Sequence, residues 1–195
     1  MDISNILKKN DSLVNYYYFN HVLNYTEIQL VKELSKKYPI IDGNVSGSVN
    51  KSYRNSEITW LPYNDDTKWL YEKCKDLLIT ANNNMWNFHI TSIKESLQFT
   101  EYRPSLTDDN HGMYDWHMDV GSNEASTRKL SMTIQLSDEY EGGDLEFMLH
   151  RNIVKAPKTK GTVIFFPSYL MHRVTKVTSG TRNSLVTWFH GPPFI

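Results

Sequence analysis

The chain has 195 residues, 21 basic and 22 acidic side chains and a formal net charge of −1. That length can bury a real core, and that balance gives no electrostatic case for a nucleic-acid or membrane partner. One cysteine, Cys74, excludes an internal disulfide and suits a reducing compartment.

Residues 1–10 carry charge and no apolar stretch, so no secretory signal is expected. A first helix is expected near residues 26–34, capped by Asn24 or Thr26. Ile28, Val31 and Leu34 fall at helical spacing, and Pro39 stops it. A second is expected over about residues 65–81, with Trp69, Leu70, Cys74, Leu77 and Leu78 as its apolar stripe. Asp65 and Asp66 suit its first turn, and Asn82-Asn83-Asn84 a loop beyond its end. From about residue 86 the chain turns to short β-rich runs: 97–102, 130–136, 145–149 after Gly142-Gly143, 161–166 and 182–189. The run 161–166 is almost wholly apolar, as a strand buried on both faces would be, although 163–171 is too short to span a bilayer and Pro167 interrupts it. Residues 178–181 suit a turn. Many short strands argue a sandwich, barrel or jelly roll. The expectation is one α+β, mainly β domain over 1–195, soluble and cytoplasmic. Residues 1–85 would give helical support and the substrate side, and 86–195 the β-core, with the helices packed outside one sheet.

Chemistry concentrates in Tyr114-Asp115-Trp116-His117-Met118-Asp119. In an extended segment His117 and Asp119 point to one face, while Trp116 and Met118 turn the other way, into packing. His172 follows Phe165-Phe166-Pro167, at the expected start of another strand. Two histidines and a carboxylate form the facial set that holds iron(II) and leaves positions open opposite. Each alone has an ordinary explanation: a chance H-x-D, and a half-buried histidine bonded to backbone. Arg182 adds weight, since Arg182, Ser184, Val186 and Trp188 share one face of their strand. A buried arginine needs an anion, and the far carboxylate of 2-oxoglutarate could bond to Arg182 and Ser184. His21, His89, His111, His150 and His190 lack comparable context, and Cys74 reads as core.

The chain resembles the prolyl 4-hydroxylase-type iron(II)/2-oxoglutarate-dependent dioxygenases over residues 97–192. The resemblance rests on Leu97-Gln98-Phe99-Thr100-Glu101-Tyr102, the Tyr114–Asp119 motif, Leu136-Ser137-Asp138 with Glu141-Gly142-Gly143-Asp144-Leu145, Phe166-Pro167-Ser168 through His172-Arg173-Val174, and Gly180-Thr181-Arg182 through Trp188 and Gly191-Pro192. It implies a double-stranded β-helix, or jelly roll, with iron at one end. It implies His117, Asp119 and His172 as ligands and Arg182 as the 2-oxoglutarate anchor. Tyr102 would contact the same carboxylate, Tyr114 and Trp188 would line the metal pocket, and ascorbate would be the reductant. Arg54, Glu57 and Trp60 resemble substrate-groove residues more loosely, with packing or solvated loop as the alternative. Two departures stand out. Collagen-type members carry lysine where this chain has Arg182, which is closer to the hypoxia-sensing or lysyl-hydroxylating branches, and many relatives carry an aromatic where Gln135 stands. Residues 103–113, with Asp108 and Asp109, form a longer link than is usual, either a loop over the site mouth or a plain surface insertion.

The expected activity is hydroxylation of an amino-acid side chain, prolyl foremost, in a peptide or protein, with dioxygen consumed and succinate and carbon dioxide released. The alternatives are the same chemistry on a free amino acid or other small molecule, a zinc-only site, or an inactive jelly roll that binds a partner.

Overall fold

The computed structural model describes residues 15–43, 48–107 and 110–194, so the expectations about residues 1–10, Asp108 and Asp109 lie outside the described residues. Helix α1 spans Tyr25–Ser35. Asn24 is its cap: Asn24 Oδ1 accepts from the Glu27 N–H at 3.0 Å, and the Glu27 carboxylate accepts from the Asn24 N–H at 2.9 Å. These reciprocal bonds satisfy two donors that the helix cannot use itself, and they select Asn24 over Thr26.

Helix α2 spans Lys68–Met85, starting and ending later than expected. The Asn64 side chain accepts from the N–H groups of Asp66 and Thr67 at 3.0 and 3.2 Å, holding Asp65 and Asp66 in a turn ahead of the helix. At the other end Asn82–Asn84 belong to the helix. The Asn82 side chain pairs with the backbone N–H and carbonyl of Phe88, both at 2.9 Å, so it fastens the exit from the helix.

Two antiparallel sheets face each other. The larger runs in the order Tyr17–Phe19, Val163–Pro167, Arg128–Gln135, Arg182–His190, Leu97–Tyr102, Glu57–Leu61 and Ile40–Asp42, with Ser92–Ile93 beside Arg182–His190. The smaller runs Asn152–Lys155, Leu145–Leu149, His172–Val174, Met113–His117 and Arg54–Asn55. This is the jelly-roll arrangement expected. Arg54, Glu57 and Trp60 thus lie on strands rather than in a solvated loop. Residues 178–181 are not a simple turn either. Val177–Gly180 pairs with Tyr140–Gly142, and the chain reverses at Gly180, whose φ of 68° suits glycine.

The central strands of the large sheet are buried on both faces, and side-chain alternation separates their chemistry. Leu130, Met132, Ile134, Val163, Phe165, Leu185 and Phe189 meet α1 and α2 through Ile28, Val31, Leu70, Cys74 and Leu78. The helices therefore pack outside one sheet, as expected. Cys74 is wholly buried there, and burial pushes its thiol up to about 12. On the inner face Ile164 and Phe166 meet Leu145, Phe147 and Leu149 of the small sheet and close one end of the interior. The other end stays polar, with Ser131, Thr133, Gln135, Gln98, Arg182 and Ser184 all buried. Among the described residues, no helix is long and apolar enough to cross a membrane.

Candidate active site

His117 and His172 face each other across neighbouring antiparallel strands, in register as direct partners. Their ring centroids are 4.1 Å apart. The strand carrying His117 ends there, so Asp119 lies beyond it and alternation along one strand does not place it. The Ser168 carbonyl holds the loop instead, accepting from the N–H groups of Asp119 and Val120 at 2.8 and 3.1 Å. Met118 is consequently exposed at the cavity rim rather than packed. Trp116 lies under the Arg173 guanidinium at 4.6 Å.

One ligand-type atom from each of His117, Asp119 and His172 lies within 4.8 Å of the others. Asp119 Oδ1 is 3.8 Å from His117 Nε2, and Asp119 Oδ2 is 3.7 Å from His172 Nε2. Each imidazole is fixed from behind: His117 Nδ1 lies 2.7 Å from the Asp115 carbonyl and His172 Nδ1 lies 2.8 Å from the Leu170 carbonyl. A carbonyl can only accept, so Nδ1 carries the proton and the Nε2 lone pair faces the cluster. Burial, then the neighbouring His172, push His117 down to about 3, so its imidazole is neutral at pH 7. Burial alone would raise the Asp119 carboxyl. The imidazoles of His172 and His117, the Ser131 hydroxyl and Arg128 outweigh it and hold the group below the usual carboxylate range. Two imidazole nitrogens and one carboxylate are a donor set that iron(II) fits.

Ser131 was not singled out from sequence. Its hydroxyl donates to Asp119 Oδ2 at 2.6 Å and lies 3.0 Å from the Ser168 hydroxyl. The available signal was parity: Ser131, Thr133 and Gln135 are the polar members of an alternating run. His190 was also passed over. It is fully buried, with Nδ1 at 2.8 Å from Thr127 Oγ1 and Nε2 against the Glu95 carboxylate. Glu95 also accepts from Arg128 at 2.9 Å, and Arg128 donates to the Asp119 carbonyl at 3.1 Å.

Arg182 is 1% exposed. Its Nη1 donates to Ser184 Oγ at 3.2 Å and its Nη2 to Gln135 Oε1 at 3.3 Å, while Nε has no partner. Among the described residues no carboxylate pairs with it, so the buried cation meets only neutral acceptors. Such a group fits an anion from outside the chain. Tyr102 lies below it, 5.2 Å from ring centroid to guanidinium. Tyr140 is buried beside it without a hydrogen bond of ordinary geometry, and burial raises its hydroxyl while the neighbouring Arg182 guanidinium works against that rise. Gly143 makes this packing possible: a Cβ there would come within 3.0 Å of the Tyr140 ring and 3.1 Å of Arg182 Cδ.

His117, Asp119, His172, Arg182, Tyr102, Tyr114, Ser184 and Trp188 all line one cavity of about 760 Å³. Tyr114 stacks on His117 with centroids 3.5 Å apart, and the Arg54 guanidinium lies over the Tyr114 ring, 4.6 Å from its centroid. Trp60 and Trp188 lie 6.3 Å apart in its wall, and Arg128 covers Trp188 at 3.9 Å. Glu57 is not part of it. Its carboxylate pairs with Arg103 at 2.9 Å on the outer side.

The family model of the 2OG-Fe(II) oxygenase superfamily matches residues 97–190. A PKHD-type hydroxylase of Synechococcus sp. (strain CC9311) is 37% identical over 82 residues, covering 41% of this chain and 37% of that protein. A PKHD-type hydroxylase of Prochlorococcus marinus (strain AS9601) is 31% identical over 137 residues, covering 69% and 55%. The chain thus spans between about a third and about half of these relatives' length. In fold it is similar to a Trichoplax adhaerens prolyl hydroxylase solved with a hypoxia inducible factor peptide fragment, at TM-score 0.73 and 19% identity over 90% of this chain and 83% of that one. A Pseudomonas putida prolyl-4-hydroxylase gives TM-score 0.68 and 18% identity over 91% and 93%.

Proposed function

Since the model of the 2OG-Fe(II) oxygenase superfamily matches residues 97–190, we propose that the chain is an iron(II)- and 2-oxoglutarate-dependent dioxygenase that hydroxylates an amino-acid side chain, prolyl foremost, in a peptide or protein. The observation that carries this reading is the meeting of His117, Asp119 and His172 in one cavity with a buried Arg182 that no carboxylate of the described residues neutralises.

In this reading His117 Nε2, His172 Nε2 and the Asp119 carboxylate hold the metal. Bound iron(II) and 2-oxoglutarate would supply dioxygen activation coupled to oxidative decarboxylation. One oxygen atom would go to the substrate C–H and the other to succinate, with release of carbon dioxide. Arg182 binds the far carboxylate of the oxo acid, Ser184 helps to place the guanidinium, and Tyr102 supplies the wall beneath it. Tyr114 and Trp188 narrow the pocket around the metal and keep bulk water from the reacting carbon. The side chains serve placement and charge, with no acid–base step assigned to them.

The cavity rim favours an extended substrate over a small one. Met118 and the exposed residues Gly121, Ser122 and Asn123 line it, so it opens to solvent beside the cluster. An enclosed pocket would suit a free amino acid better. The Trichoplax relative was solved with a peptide fragment, which supports the same choice. The test is succinate release by purified protein with iron(II), ascorbate and 2-oxoglutarate, followed by screening proline-containing peptides for the mass gain of one oxygen. Succinate release that is identical with His172→Ala would overturn the oxygenase assignment. Oxygen gain on free amino acids but on no peptide would replace the peptide substrate by a small one.

A further inference from the structure

We propose that Gln135 is a positioning residue for the co-substrate. It sets the direction of the Arg182 guanidinium while leaving the positive charge uncompensated. This rests on the assignment of Arg182 as the anchor of the 2-oxoglutarate tail.

Gln135 is 1% exposed, ends the strand Arg128–Gln135 and sits directly opposite Ser184 on the neighbouring strand. It does not line the cavity, so it acts on the ligand through Arg182. Its amide has a fixed sense. Nε2 donates to the Pro157 carbonyl at 3.3 Å, and because that carbonyl can only accept, Oε1 must be the atom that meets Arg182 Nη2 at 3.3 Å. Ser184 takes Nη1 from the adjacent strand. Two neighbouring strands therefore brace the guanidinium through two neutral acceptors. One N–H on each of Nη1 and Nη2 remains beyond these two bonds and is left for an incoming carboxylate.

The residue type at 135 matters in two ways. Glutamate would keep an acceptor there but neutralise the cation from behind, so that an anionic ligand would have to compete with it. An apolar residue would keep the charge and lose the brace, letting the guanidinium swing. A residue that merely filled space would make neither distinction.

The experiment titrates Mn(II)-loaded protein with 2-oxoglutarate and with 2-oxopentanoate, which has the same carbon chain and no far carboxylate. Wild type, Gln135→Glu, Gln135→Met and Arg182→Met are compared by calorimetry. Gln135→Glu should weaken 2-oxoglutarate about tenfold or more. Gln135→Met should weaken it by roughly threefold to tenfold. Both should bind 2-oxopentanoate and Mn(II) as wild type does. If Gln135→Glu loses Mn(II) through misfolding, the Gln135→Met result decides. Wild-type affinity for 2-oxoglutarate in the Gln135 variants would overturn the positioning role, as would equal loss of both acids. Arg182→Met losing 2-oxoglutarate while the Gln135 variants keep it would remove that role alone. Arg182→Met binding it as wild type does would remove the anchor assignment itself.

Discussion

Along the strand Arg128–Gln135, Leu130, Met132 and Ile134 turn outward to the helices, while Ser131, Thr133 and Gln135 turn inward to the polar interior. The strand Arg182–His190 divides likewise, with Leu185 and Phe189 outside and Arg182, Ser184 and Trp188 inside. The apolar members of the outer set answer to burial, where one large apolar side chain typically stabilises by about 1.5–3 kcal/mol. The inner set does the reverse. Among the described residues three buried polar atoms on it, Arg182 Nε, Trp188 Nε1 and Thr100 Oγ1, make no hydrogen bond, with Tyr140 Oη beside them, against Thr187 Oγ1 and Trp69 Nε1 on the helix side, and such groups typically cost about 1–3 kcal/mol each. Stability alone would not select that face. Its unmet valences are intelligible if something else completes them, so the two faces should separate cleanly under mutation.

The largest effect expected belongs to the inner face. His172→Ala removes one of the three converging donors, so succinate release should fall to background with the fold retained, as read by circular dichroism. On the outer face Met132→Ala should destabilise by about 2–5 kcal/mol in urea denaturation, through cavity formation under the helices. Its 2-oxoglutarate affinity should be unchanged, and a changed affinity would mean that the faces are coupled. Arg182→Met inverts that pattern. It should weaken 2-oxoglutarate about 10- to 100-fold, in line with one or two charge-assisted bonds, yet raise the melting temperature of the ligand-free protein. A lower melting temperature would show that the buried cation is already stabilised from within.

The same division explains what could be read from the sequence. The apolar side of each strand and both helices announce themselves by period, and the motif residues His117, Asp119, His172 and Arg182 stand out by type and order. Ser131 did not, because a serine in an alternating run looks like any solvent-facing position, and Gln135 stood out only as a departure from the family's pattern, with nothing to show that it is buried. Their burial depends on the second sheet closing over them, which no local pattern contains. Asp119 was singled out for a geometry it does not have. The strand stops at His117, and the Ser168 carbonyl, about fifty residues further on, holds the aspartate in place. The ends of α2 were displaced for a local reason, since asparagines at both ends spend their side chains on backbone groups.

Ser131 and Met132 are neighbours that face opposite ways, which makes them the tightest internal control. Ser131→Ala leaves Asp119 Oδ2 without its 2.6 Å donor. Metal affinity should fall by about 10- to 100-fold, the usual range for a residue that orients a ligand. Folding stability should change by about 1 kcal/mol. Titration with Mn(II) reads the first and urea denaturation the second. Metal affinity equal to wild type would show that Ser168 and the loop backbone place Asp119 unaided.

The metal-free protein should also show a pH slope in its stability. An unfolded imidazole takes up its proton near pH 6.5, whereas burial holds His117 down to about 3. Between those values the unfolded chain carries the extra proton, so acid favours unfolding. The neutral His117 imidazole is therefore fully tolerated above about pH 6.5, and stability is lost as pH falls from there toward about 3. Asp119 acts in the same sense at lower pH, because its carboxyl is held below the usual range. A single proton gives a slope of up to about 1.4 kcal/mol per pH unit. Urea denaturation in chelator at pH 7 and pH 5 should show this loss, and His117→Gln should reduce it by about that amount. Equal slopes in the two proteins would mean that His117 is already solvated in the metal-free state, and that the inner face relaxes when its ligands are absent.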